Sequence, residues 1–138
     1  MSDVYSLTIR NERAEVARLT AWIDQLANRL ALSADTNHAV QLCLEEAVTN
    51  ILSHAFEPDT AHQVHVAVWR DDAALHAAIS DDGRPFDPLS QELSPKPEDL
   101  ESAAVGGLGI KLIRHFAKHI DYRRLGALNR LHLSFPPD

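Results

Sequence analysis

Leu44-Glu45-Glu46-Ala47-Val48-Thr49-Asn50, within an apolar-periodic run from Thr36 to Ser53, decides how the rest of the chain reads. At about 100° per residue, Val40, Leu44, Ala47, Val48 and Ile51 form one apolar arc of a helix. Cys43, Glu46, Asn50 and His54 form a second stripe beside it. Glu46 and Asn50 are one turn apart on the same face. Such a helix can dock one face on a sheet and offer the neighbouring face to a ligand. Glu45 lies about 100° round from Glu46 and points away from the Glu46–Asn50 stripe.

Around this helix the pattern alternates between strand and helix. Val4 to Arg10 alternates as a first strand. From Asn11 or Glu12 a long amphipathic helix is expected, with Val16, Leu19, Ile23, Leu26 and Leu30 on its stripe and an end near Leu32. Ser33 or Asp35 would cap the central helix, and Glu57-Pro58-Asp59 would follow it as a loop. His62 to Arg70 and Ala74 to Ser80 read as a hairpin turning at Asp71-Asp72, with Val64, Val66, Val68, Leu75, Ala77 and Ile79 inward. A third helix after Gly109 would bury Ile110, Ile113, Phe116, Ala117 and Ile120. Tyr122 to Leu125 and Leu131 to Phe135 would close the chain as a hairpin around Gly126-Ala127-Leu128-Asn129. The order β-α-α-β-β-loop-α-β-β predicts an α+β two-layer sandwich, a mixed, mostly antiparallel sheet with three helices on one face. Residues 1–138 read as a single domain.

Composition narrows the function. One cysteine excludes an internal disulfide and a cysteine-based metal cluster, and the eight histidines read as surface residues. A net charge of −7 argues against holding nucleic acid through its phosphates. No apolar run nears the roughly 20 residues that span a membrane, and the N-terminus shows no signal-peptide pattern. A cytoplasmic protein is expected.

Three motifs occur in order: Glu46-x-x-x-Asn50 on a helix, Asp81-x-Gly83 at a strand end, and Gly106-Gly107-Leu108-Gly109 at a helix start. A segment rich in proline and acids separates the last two. In this order and spacing they resemble the N-box and two glycine boxes of the Bergerat-type (GHKL) ATP-binding fold. The match is to its small single-domain branch, the anti-sigma factor serine-protein kinases of bacterial partner-switching systems. That resemblance implies ATP and Mg²⁺ as cofactors, with Asn50 on the metal and Glu46 as the base for a serine hydroxyl. It further implies Asp81 on the adenine amino group, with Gly83 and Phe86 beside it. Gly106, Gly107, Leu108 and Gly109 would bind the phosphates at a helix N-terminus, and residues 88–105 would form an ATP lid. The lid carries one cation, Lys96, so Lys111 is a candidate for the γ-phosphate. Asn129 is the polar candidate in the final hairpin, where relatives often place threonine.

The implied function is phosphorylation of a serine on a STAS-type anti-sigma factor antagonist, coupled to sequestering a sigma factor or similar target. A PP2C-type phosphatase would act in the same pathway, and a homodimer would form through the edge near Val4 to Arg10. The competing reading is a regulatory module that binds ATP without phosphoryl transfer.

Overall fold

A computed structural model describes residues 3–90 and 110–137. Five strands form one sheet in the order β1-β2-β3-β5-β4. They are β1 (Val4–Arg10), β2 (Gln63–Arg70), β3 (Leu75–Asp81), β4 (His119–Leu125) and β5 (Leu128–Phe135). All four pairings are antiparallel, so the sheet anticipated as mixed is antiparallel throughout its described strands. The chain leaves β1 at Arg10 and re-enters at Gln63, its register partner, so β2 must run the opposite way. The helices are α1 (Val16–Arg29), α2 (Ala34–His54) and α3, helical over 110–116 in the described residues.

Alternation gives the sheet one apolar face. Ile9, Val64, Val66, Val68, Leu75, Ala77, Ile79, Leu131, Leu133 and Phe135 are all buried there. Against them pack Leu19, Ile23 and Leu26 of α1, the arc Val40, Leu44, Ala47, Val48 and Ile51 of α2, and Ile110 and Ile113 of α3. None of the helices among the described residues is long and apolar enough to cross a membrane.

Three boundaries differ from the sequence reading, each for a local reason. The first helix starts late because Asn11 extends the β1–β2 ladder. Its backbone N–H donates to the His62 carbonyl at 3.0 Å, and its side chain accepts from the His62 N–H at 2.9 Å. A single 3₁₀ turn (Arg13–Glu15) then leads into α1. There the buried Glu15 carboxylate accepts from the Arg10 backbone N–H at 3.0 Å and from its guanidinium at 3.2 Å. That backbone bond, then the Arg10 and Arg18 charges, holds its carboxyl below the usual carboxylate range. The third helix stops short of Ile120, because the Lys118 N–H already donates to the Ser134 carbonyl at 2.6 Å and begins the β4–β5 pairing. Ile120 therefore packs on the core from a strand. The closing turn is two residues long, since Gly126 at φ 61° takes the left-handed geometry that a tight hairpin requires. Asn129 thus falls inside β5, not in a loop.

Ser33 is the cap of α2, its Oγ accepting from the Thr36 N–H at 3.2 Å. At the end of α1, the Leu32 N–H reaches the Ala27 carbonyl at 2.9 Å while Ala31 sits at φ 54°. This closure normally selects glycine at the left-handed position. Replacing Ala31 by glycine removes the steric cost of the left-handed backbone and adds unfolded-state entropy, for a net gain of about 0.5 kcal/mol. Urea denaturation of Ala31→Gly is expected to show the higher midpoint with an unchanged slope.

Candidate functional site

The stripe on α2 is more enclosed than a solvated face. Cys43 is fully buried and Asn50 is 5% exposed, whereas Glu46 is half-buried. Burial, with the Glu46 charge adding to it, pushes the Cys43 thiol up to about 12, so it behaves as a small apolar side chain. Burial first, and then the neighbouring Glu45 charge, raises the Glu46 carboxyl above its ordinary range. Glu45 itself accepts a 2.6 Å hydrogen bond from the Thr20 hydroxyl of α1, so its side chain is directed toward α1. Asn50 has a buried Nδ2 with no hydrogen-bond partner.

β3 delivers Asp81 to the end of α2. Asp81 is 1% exposed. Its Oδ1 accepts from the Gly83 N–H at 2.9 Å and from Asn129 Nδ2 at 3.0 Å, while its buried Oδ2 has no partner. Burial raises this carboxyl, opposed by those two hydrogen bonds. Among the described residues, Asn50 Nδ2 and Asp81 Oδ2 are the two buried side-chain polar atoms left without a partner. A native interior pairs such atoms or offers them to something else.

Gly83 is set hard against the helix end. A Cβ there would lie 2.4 Å from the Ala55 carbonyl oxygen and 2.9 Å from both the Ala55 Cβ and Asp81 Oδ1. The next residue completes the junction. The Arg84 backbone N–H donates to the Ala55 carbonyl at 2.9 Å, and its Nε donates to the His54 carbonyl at 2.7 Å. A cation on the last carbonyls of a helix is favourably placed for its dipole. Phe86 stacks in a tilted contact on His54, with centroids 5.2 Å apart. The structure therefore gathers His54, Asp81, Gly83, Arg84 and Phe86 at the C-terminal end of the helix that carries Glu46 and Asn50.

Asn129 belongs to the same cluster, directly opposite Asp81 in register. Its Nδ2 also donates to the Arg84 carbonyl at 2.8 Å. Its Oδ1 accepts from the Tyr122 hydroxyl at 2.5 Å, Arg124 Nη1 at 3.2 Å and the Phe86 N–H at 3.2 Å. Arg124 Nη1 also donates to the Gly83 carbonyl at 2.8 Å. Tyr122 and Arg124 carry no motif signal, and Arg84, which lies within the stretch resembling the first glycine box, has no role assigned to it by the sequence. The two-residue turn at Gly126–Ala127 was the signal that could have set Tyr122 and Arg124 beside Asn129. Lys111 is exposed on α3. Gly106, Gly107, Leu108, Gly109, Lys96 and the lid beyond its first turn (Pro88–Ser90) lie outside the described residues.

With this geometry in hand, comparison with known proteins is specific. Residues 9–135 match the model of the histidine kinase-like ATPase domain. The serine/threonine-protein kinase BtrW of Bordetella bronchiseptica is 35% identical over 115 residues, covering 82% of this chain and 80% of that protein. The serine-protein kinase RsbW of Listeria monocytogenes is 30% identical over 111 residues, covering 78% and 69%. The histidine kinase domain of the Erythrobacter litoralis EL346 blue-light activated histidine kinase superposes with a TM-score of 0.57 at 18% identity. It covers 90% of this chain, which spans 60% of that structure, and the likeness is one of fold.

The Gly83 junction is directly testable. Gly83→Ala must move the Ala55 backbone or the Asp81 carboxylate, and is expected to cost about 1–3 kcal/mol of stability. Thermal unfolding of this variant beside Gly126→Ala separates the two glycines. Nothing lies within 4 Å of a Cβ at Gly126, so its loss is one of backbone geometry alone.

Proposed function

This chain belongs to the histidine kinase-like ATPase family, and we propose that within it the protein is an ATP-dependent serine-protein kinase of a bacterial partner-switching system. One observation carries the reading. Among the described residues, the two buried side-chain polar atoms left unpaired belong to Asn50 and Asp81, the residues that the motifs nominate for metal and nucleobase. Asp81 Oδ2 is an acceptor in want of a donor, which suits the exocyclic amino group of adenine. The Asn50 amide can donate to a phosphate oxygen or, turned over, present its oxygen to Mg²⁺, a cation that takes oxygen ligands. Bound Mg²⁺ supplies charge neutralisation for the phosphates.

In this reading Asp81 and Gly83 receive the base, Phe86 walls the pocket, and Asn50 holds the metal. Gly106, Gly107, Leu108 and Gly109 bind the phosphates through backbone N–H groups at the start of α3, with residues 88–105 as the lid and Lys111 as a supporting cation. Glu46 accepts the proton of the attacking serine hydroxyl as the new Oγ–P bond forms and the bond to ADP breaks. A half-buried carboxylate with a raised pKa is a stronger base than one in water, which suits that role. The protein substrate is a STAS-type antagonist, whose phosphorylation adds charge at its docking surface. The unphosphorylated antagonist competes with a sigma factor or similar target, and a PP2C-type phosphatase resets the cycle. β1 is a sheet edge with an open row of backbone groups, which suits a homodimer contact. A single cytoplasmic domain accommodates all of these roles.

Calorimetry with ATP tests the site. Wild type is expected to bind ATP in a Mg²⁺-dependent manner and Asn50→Ala to lose that dependence. Absence of binding with or without Mg²⁺ rejects the nucleotide reading. Transfer of label from γ-labelled ATP to a STAS-domain antagonist tests the chemistry, and complex formation without transfer would favour the binding module. Glu46→Ala is expected to lower transfer by about 10²–10⁴-fold while ATP still binds.

The pH dependence has a definite sign. Glu46 acts ionised, so transfer falls as pH drops through its raised pKa. Glu45→Gln removes one cause of that rise and is expected to move the acid limb of the rate profile to lower pH. The folded state binds this proton more tightly than the unfolded state, so the group lowers stability as pH rises through that window. Glu46→Gln should therefore raise the melting temperature more at neutral pH than in acid.

A further inference from the structure

We infer that Asn129 is a positioning residue for nucleobase choice, holding the Asp81 carboxylate as a pure acceptor at Oδ2 so that a 6-amino purine is taken and a 6-oxo purine refused. The inference rests on the nucleotide reading above and extends it to residues that do not themselves touch the base. Both ends of the Asn129 amide are committed to protein. Its oxygen meets Tyr122 Oη, Arg124 Nη1 and the Phe86 N–H, and its nitrogen meets Asp81 Oδ1 and the Arg84 carbonyl.

The amide has one workable orientation. Turned over, it would set an NH₂ group against the guanidinium of Arg124 and the backbone N–H of Phe86, both donors only. Its oxygen would then face a carboxylate and a carbonyl, both acceptors. The three donors therefore aim Nδ2 at Asp81.

That aim matters because of what it does to the carboxylate. With Gly83 N–H and Asn129 Nδ2 both donating to Oδ1, the ionised form is favoured and Oδ2 is left to accept. Were Asp81 to take up a proton, Oδ2 would become a donor and would pair with the carbonyl of a 6-oxo purine. A buried carboxyl is prone to that change, since burial is the largest influence on Asp81 and raises it. The charged groups acting on it are Asp82, which disfavours ionisation, and Arg124, which favours it. Asn129 thus stands between the carboxylate and a reversal of its hydrogen-bonding sense.

The test compares ATP with ITP, which carries a carbonyl in place of the adenine amino group. Their affinities are measured by calorimetry across a pH series from acid to mildly alkaline for wild type, Asn129→Leu and Tyr122→Phe, because burial raises the Asp81 carboxyl above its ordinary range. The ATP-to-ITP preference of Asn129→Leu is expected to fall between the higher and the lower pH by about fivefold more than that of wild type, the worth of one lost hydrogen bond. Tyr122→Phe loosens the amide without removing it and is expected to show a change in the same direction of about twofold. It carries the test alone if the leucine variant does not fold. An equal pH response in all folded proteins overturns the inference and leaves ATP binding standing. A wild type that binds neither nucleotide rejects the nucleotide reading and this inference with it.

Discussion

The Ala55 carbonyl and the bare Cα of Gly83 meet closer than any side chain would allow. The arrangement of the candidate site depends on that contact. It brings the end of β3 against the end of α2, so the carboxylate at one strand terminus and the polar stripe of one helix share a boundary. Arg84 locks the approach by occupying the last two carbonyls of the helix. Those carbonyls lie at the helix end, where they have no intrahelical donor of their own. Satisfying them from the strand side makes the junction a shared cap and not merely a packing contact.

Much of this was legible beforehand, because the signals were periodic. The period of two in Val64, Val66 and Val68 and the three-four steps of Leu19, Ile23 and Leu26 each mark a buried face whatever the partner is. The candidate site residues stood out for another reason: Glu46 and Asn50 share one helical face, and Asp81-x-Gly83 follows at a strand end in a definite order and spacing. Tyr122 and Arg124 were not legible. A tyrosine and an arginine near a turn look like ordinary surface, and their role exists only once the β3–β5 register sets residue 129 opposite residue 81. The reach of α3 was overestimated since Ile120 satisfies a helical step as well as a strand position. Periodicity alone cannot choose between the two.

The site also shows where the fold departs from its own stability. The core cluster is apolar, yet Asn50 and Asp81 each keep an unpaired atom inside. Leaving a buried group unsatisfied costs about 1–3 kcal/mol. Cys43, one turn before Ala47 on the same helix, shows the alternative, a stripe position filled by a small apolar group. Among the described residues, both unpaired atoms lie in the region that the two motifs define. A ligand that pairs them would recover the desolvation already incurred.

Placing Asn129 in the last strand has a consequence for how the protein is made. Asp81 emerges from the ribosome long before the residue that orients it, and the intervening segment has to be synthesised first. Until β5 has left the exit tunnel and paired with β3, the carboxylate faces no amide and the sheet has an open inner edge. Contacts of such long sequence separation form late. Nascent chains cut short of the final hairpin would hold the central helix but not the floor beside it. Completion of the candidate site is thus deferred until β5 has been made and paired, a built-in delay between the birth of Asp81 and the setting of its surroundings.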